Sequence, residues 1–112
     1  MNTELLASLF KTLSEPVRLR IVYLLLESDE LCVCDLVDTL GLSQSVVSRH
    51  LAYLRNNNLV STRREGVWVY YRTVEGCCKP LFEHIRQSGV SNEEMQTDLV
   101  NLKLISRSQQ CG

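Results

Sequence analysis

Long hydrophobic runs are missing from this chain of 112 residues. Apolar side chains make up 45% of it, yet no run reaches the roughly 18 residues that cross a bilayer. Met1 to Phe10 has neither a basic start nor a small-residue cleavage site, so no secretory leader is read there. A cytoplasmic protein with no membrane partner is expected. There is no C-x-x-C pair, no glycine-rich phosphate loop, and no His or Asn beside the closely spaced cysteines, so an enzyme is not expected. Internal repeats and low-complexity segments are absent as well. The formal net charge is only −1, so bulk charge does not point to nucleic acid. The length suits a single domain over 1–112. Its core would be thin, and a second copy would add burial that so small a monomer lacks.

The distribution of charge says more than its sum. Residues 27–42 carry Glu27, Asp29, Glu30, Asp35 and Asp38 with no Lys or Arg. Residues 43–72 carry Arg49, Arg55, Arg63, Arg64 and Arg72 against Glu65 alone. A basic segment inside a near-neutral chain is an electrostatic footprint for nucleic acid. The five cysteines, in a chain expected in the cytosol, read as thiols or metal ligands before structural disulfides.

Helical spacing of Leu6, Leu9, Phe10 and Leu13 predicts a first helix over Asn2 to Leu13. Pro16 suits the first position of a second, mostly buried helix over Val17 to Leu26. A short third helix, about Cys32 to Leu40, ends at Gly41, which fits a left-handed stop. Ser43 caps a fourth that runs to about Asn57. Two helices joined by a short Gly-containing turn form a helix-turn-helix. Leu59 to Arg64 and Val67 to Thr73 are β-rich runs around a Glu65-Gly66 turn. Helices are predicted over Glu75 to Gln87, broken by Gly89, and over Glu93 to Ile105, with a frayed tail from Ser106 to Gly112. The fold class is all-α with a small β-hairpin wing.

On the fourth helix Val47, Leu51 and Leu54 must face the core, which turns Gln44, Ser45, Ser48 and Arg49 outward near its N-terminal end. Recognition helices present that end to base edges in the major groove. Gln pairs with adenine and Arg with guanine, while Ser hydroxyls and the helix N-terminus suit phosphates. His50 lies at the border of the buried face, either against phosphate or packed. In the wing Arg63, Arg64 and Arg72 are candidate contacts to the DNA backbone or minor groove. Trp68, Tyr70 and Tyr71 are read chiefly as packing the wing onto the body.

The segments LSEPVRLRIVYLLL, ELCVCDL, LSQSVVSRHLAYLR and RREGVWVYYR, in that order, resemble the ArsR family of winged-helix metalloregulators, in particular its arsenic-responsive repressors. The resemblance covers roughly residues 5 to 75. It implies a homodimeric winged helix-turn-helix repressor that binds an inverted-repeat operator in double-stranded DNA and leaves it when metal binds. It places Gln44, Ser45, Ser48, Arg49 and His50 on the DNA-reading helix. It also implies that helix one, with helices five and six, forms the dimer surface. Asn58 stands where the family usually has Gly.

Cys32 and Cys34 are the candidate ligands. Thiolates select soft ions, and the resemblance implies arsenite or antimonite, As(III) or Sb(III), as inducer. Residues two apart on a regular α-helix point about 200° apart, so the pair is expected to close on an ion only if the first turn of the third helix unwinds. Distortion there would misplace the reading helix. Arsenic sensors of this type often carry a third cysteine one turn later, where this chain has Val37. Cys77 and Cys78 are candidate additional ligands, and Cys111 is read as incidental. Two alternatives remain on the same fold: oxidation of Cys32 and Cys34 as a redox switch, and sensing of cadmium, lead or zinc. The family's zinc site uses paired His and acidic residues on the last helix, whereas His84 is the only His in this C-terminal half. Its cadmium and lead sensors add N-terminal cysteines, and none precedes Cys32.

Overall fold

The structure is a computed structural model that describes residues 2–76 and 78–108. Each early helix starts where a side chain can satisfy the first unpaired backbone N–H groups. Asn2 accepts from the Leu5 N–H at 2.8 Å and opens α1 (Thr3–Leu13). Glu15 accepts from the Arg18 N–H at 2.9 Å, and Pro16 begins α2 (Pro16–Ser28). In α2 the consecutive residues Ile21, Val22, Tyr23, Leu24 and Leu25 are each at most 1% exposed. Burial on every side makes α2 the axis of the core. It stops at Asp29, whose φ is 64°.

The next element was not legible in the sequence. Leu31 and Cys32 form a two-residue strand, β1 (Leu31–Cys32), before α3 (Val33–Leu40) begins. Gly41 then takes the left-handed φ of 68°, and its N–H reaches the Val37 carbonyl at 2.9 Å. Ser43 caps α4 (Gln44–Asn56), accepting from Val46 N at 3.3 Å. The helix-turn-helix is therefore present with a three-residue link. Asn58 follows α4 with a φ of 62°, which Asn tolerates better than most residues.

β2 (Val60–Glu65) and β3 (Trp68–Thr73) pair antiparallel with Glu65 opposite Trp68. The turn is thus Gly66-Val67, one residue later than expected. Gly66, at φ 62°, supplies the positive dihedral at the first turn position, which Glu65 would adopt only with strain. β3 also pairs with β1, giving a three-stranded sheet in the order β1-β3-β2.

α5 (Lys79–Gly89) starts four residues later than expected, because Pro80 is tolerated only in the first turn. Nor does Gly89 break it. Gly89 is the last residue of α5 and is buried. A Cβ there would lie under 3.0 Å from the Cε1, Cδ1 and Cζ atoms of Tyr23, so only glycine lets α5 approach α2. α6 (Glu93–Ser108) packs across α3 and α2. Arg20 on α2 fixes it with a two-pronged bond to Asp98, at 2.9 and 3.0 Å, and Asp98 is only 3% exposed. No helix among the described residues is long and apolar enough to cross a membrane.

Gly89→Ala is expected to destabilise the fold by about 1–3 kcal/mol, since the methyl displaces a buried ring. The denaturant midpoint measures this, and an unchanged midpoint would show that α5 can retreat freely.

Candidate sensor site and DNA-reading surface

Cys32 is the N-cap of α3, in an extended conformation (φ −86°, ψ 166°), and Cys34 lies in the first helical turn. Because Cys32 is outside the helix, the angular argument that would separate the two sulfurs does not apply. The two sulfurs and a carboxylate oxygen of Asp35 all lie within 4.8 Å of one another with α3 intact. This corrects the expectation that the first turn must unwind before both sulfurs can serve one ion. Ligation requires both sulfurs as reduced thiolates.

Asp35 and Cys32 close a reciprocal capping box. Cys32 Sγ accepts the Asp35 N–H at 3.4 Å, and Asp35 Oδ2 accepts the Cys32 N–H at 3.3 Å. Burial pushes the Asp35 carboxyl above its usual value, and the bond from the Cys32 N–H acts against that shift. A cleft of about 310 Å³ opens beside the pair, lined by Cys32, Cys34 and Val37 of the sensor segment, Gln44 of α4, and Trp68 of the wing, among others. The cysteine pair, α4 and the wing therefore share one cavity. The donor set, two sulfurs with one carboxylate oxygen nearby, fits a soft or borderline ion better than a hard one. Val37 stands in the cleft wall and offers no donor.

The segment carrying the cysteines is tied to the wing in two further ways. Cys32 pairs with Tyr70 in the β1–β3 ladder. Glu30 holds Arg63, with Arg63 Nε at 3.2 Å and its NH2 group closer still. That bond is the main cause holding the Glu30 carboxyl below its usual range. Arg63 also reaches Glu65 at 2.9 Å and stacks over Tyr70 at 4.6 Å from the ring centre. Arg63 is thus engaged within the chain. Exposed Arg64 and Arg72 are the other two wing candidates. Tyr71 packs against the core and Trp68 lines the cleft. No spacing signal marks the Glu30–Arg63 pair, because the two residues lie 33 positions apart.

On α4, Val47, Leu51 and Leu54 are fully buried. Gln44, Ser45 and Arg49 are exposed and Ser48 is half-buried. These four form a polar surface at the N-terminal half of the helix. His50 faces the body instead. Its Nδ1 lies 3.3 Å from Arg18 NH1 and 3.8 Å from Glu15. Of the other cysteines, Cys78 is buried and lines a pocket with Leu5, Leu9 and Asn57. Cys77 and Cys111 lie outside the described residues.

A family profile described as "Bacterial regulatory protein, arsR family" matches residues 15–62. The "Arsenical resistance operon repressor" of Escherichia coli (strain K12) is 55% identical over 64 residues, which are 57% of this chain and 55% of that protein. The chain spans about half the length of the curated relatives it matches. Reduced HlyU from Vibrio cholerae N16961 superposes with a TM-score of 0.70 at 37% identity, covering 77% of this chain and 90% of that one. The AntR antimony-specific transcriptional repressor superposes with a TM-score of 0.63 at 33% identity, covering 70% and 71%. The matched stretch holds α2, the sensor segment and the helix-turn-helix.

Burial lowers the affinity of His50 for a proton, outweighing the pull of Glu15. The unfolded chain then binds a proton that the folded chain resists, so stability falls as pH drops below the unfolded value of about 6.5. His50→Gln is expected to flatten that part of the stability profile. Urea midpoints between about pH 5 and 7 test it, and an unchanged slope would remove His50 as the cause.

Proposed function

This chain belongs to the arsR family of bacterial regulatory proteins, and from that premise we propose that it is a transcriptional repressor released from operator DNA by a soft metalloid. Two copies bind an inverted-repeat operator, and trivalent arsenic or antimony captured by reduced Cys32 and Cys34 displaces them. The single observation that carries this reading is the cleft that holds both sulfurs, Gln44 and Trp68 together. An ion seated there sits between the two surfaces that must meet DNA in fixed relation.

Gln44 and Arg49 read base edges in the major groove, with Ser45 and Ser48 on nearby phosphate. Arg64 and Arg72 contact the backbone through the wing. Arg63 and His50 serve position rather than contact, through Glu30 and through Arg18 and Glu15. Leu5, Leu6 and Phe10 on α1 and Val100 and Leu104 on α6 are exposed apolar residues of the kind a partner copy covers. Pairing through them would place two copies of α4 in successive major grooves about 34 Å apart.

Coupling needs no unwinding. Cys32 Sγ caps α3 and its backbone belongs to β1, so a bond formed to that sulfur acts on the α3 N-terminus and on the strand paired with β3. A ligand that shifts both favours the state with lower operator affinity. The second reading is a redox switch, favoured by the closeness of the Cys32 and Cys34 sulfurs. Two thiols and one hydrogen peroxide would give the disulfide and two waters. Arsenite release under strict reduction separates the two readings, and release by peroxide alone would favour the second.

Cys32→Ser and Cys34→Ser are expected to keep operator affinity and lose arsenite-driven release, since Ser at position 32 still caps α3. Gel shifts check this, and normal release from both variants would move the site elsewhere. Arg49→Ala is expected to lose about 1–3 kcal/mol of discrimination between operator and unrelated duplex. Arg64→Ala is expected to weaken all duplexes alike and to shallow the salt dependence. Equal loss on every duplex for Arg49→Ala would reduce it to a phosphate contact.

A further inference from the structure

We infer that Asp35 governs which trivalent arsenical the site prefers, by holding the third position of the bound atom. The inference rests on metalloid capture by Cys32 and Cys34. Two thiols can replace only two of the three hydroxyl groups of arsenous acid. Two S–H and two As–O bonds break, two As–S bonds form, two waters leave, and arsenic stays trivalent with one hydroxyl. The position one helical turn after Cys34 holds Val37, which lines the cleft without a donor.

What the structure does offer is a carboxylate. An Asp35 oxygen is within 4.8 Å of both sulfurs. Its Oδ2 accepts the Cys32 N–H at 3.3 Å, and a carboxylate has about four lone-pair sites, so the cap leaves acceptor capacity to spare. The same capping box that places Cys32 therefore fixes Asp35 beside it. Asp38 also lines the cleft but is outside that cluster. The remaining As–OH or Sb–OH donates to the Asp35 carboxylate, a charge-assisted bond about twice as strong as a neutral one. The site is thereby selective for inorganic arsenite or antimonite, which keep a hydroxyl. An arsenical whose third position is carbon has no proton to give.

The test compares Asp35→Asn with wild type for sodium arsenite and for phenylarsine oxide, by titration of protein reduced with a phosphine and free of other thiols. Asn retains an oxygen for the Cys32 N–H but lacks the charge. The expected result is that the variant's affinity for arsenite falls about tenfold relative to its affinity for phenylarsine oxide, the loss of one charge-assisted hydrogen bond. Equal losses for both ligands would make Asp35 only a support for Cys32 and would overturn the inference, as would no change for either. Wild-type protein that binds neither arsenical would overturn metalloid capture itself, a separate failure.

Discussion

Two long, weak hydrogen bonds between Cys32 and Asp35 organise the cysteine-bearing corner of this molecule. One runs from a backbone N–H to a sulfur and the other from a backbone N–H to a carboxylate. Together they end β1, begin α3 and bring two cysteine sulfurs to one place. A helix that started one residue earlier would have turned those sulfurs apart. The N-cap position thus does double service. It satisfies orphan N–H groups, which every helix start must do, and it presents a sulfur outside the helical spiral. Sulfur is a weaker acceptor than the oxygen of Ser or Asp, so this cap is a soft point in an otherwise well-tied helix-turn-helix.

Around that point the chain sets acid against base. Glu30 precedes the sensor strand and grips Arg63 on the wing, and Arg63 stacks on Tyr70, which pairs with Cys32 across the ladder. Glu30 and Arg63 are both partly exposed, so their attraction is screened and modest. Its value lies in geometry. It ties the wing to the segment that carries Cys32. Farther away the nearly buried Arg20–Asp98 pair holds α6 against α2. Breaking a buried pair from one side is costly, so the α6 scaffold is stiffer than the sensor corner it leans on.

Much of this was legible in the sequence, and the reasons are specific. Helical periodicity found α1 through α4 to within a few residues, because Pro16, Gly41 and Ser43 each impose a boundary. The buried stripe Val47, Leu51, Leu54 fixed which face of α4 is polar. The pair Cys32 and Cys34 stood out by type and spacing. What escaped depends on contacts that spacing cannot encode. A two-residue strand is too short for any period to register, so β1 was missed, and with it the non-helical Cys32. The turn at Gly66-Val67 was misplaced by one because glycine at the first turn position outweighs the acidic residue before it. Gly89 read as a breaker, whereas its missing side chain answers the ring of Tyr23. The partners of Arg63 and His50 escaped too, because Glu30, Arg18 and Glu15 lie in distant segments.

On the proposed function, ligand capture and operator release meet in the cleft shared by the cysteines, α4 and the wing. Trp68 is the only tryptophan in the chain and lines that cleft, so its fluorescence reports directly on what enters. One titration of the reduced protein on labelled operator duplex, following Trp68 emission and duplex anisotropy as arsenite is added, decides the matter. The expected result is a change in Trp68 emission that tracks operator release across the same concentrations. Operator leaving while Trp68 emission stays flat would contradict it.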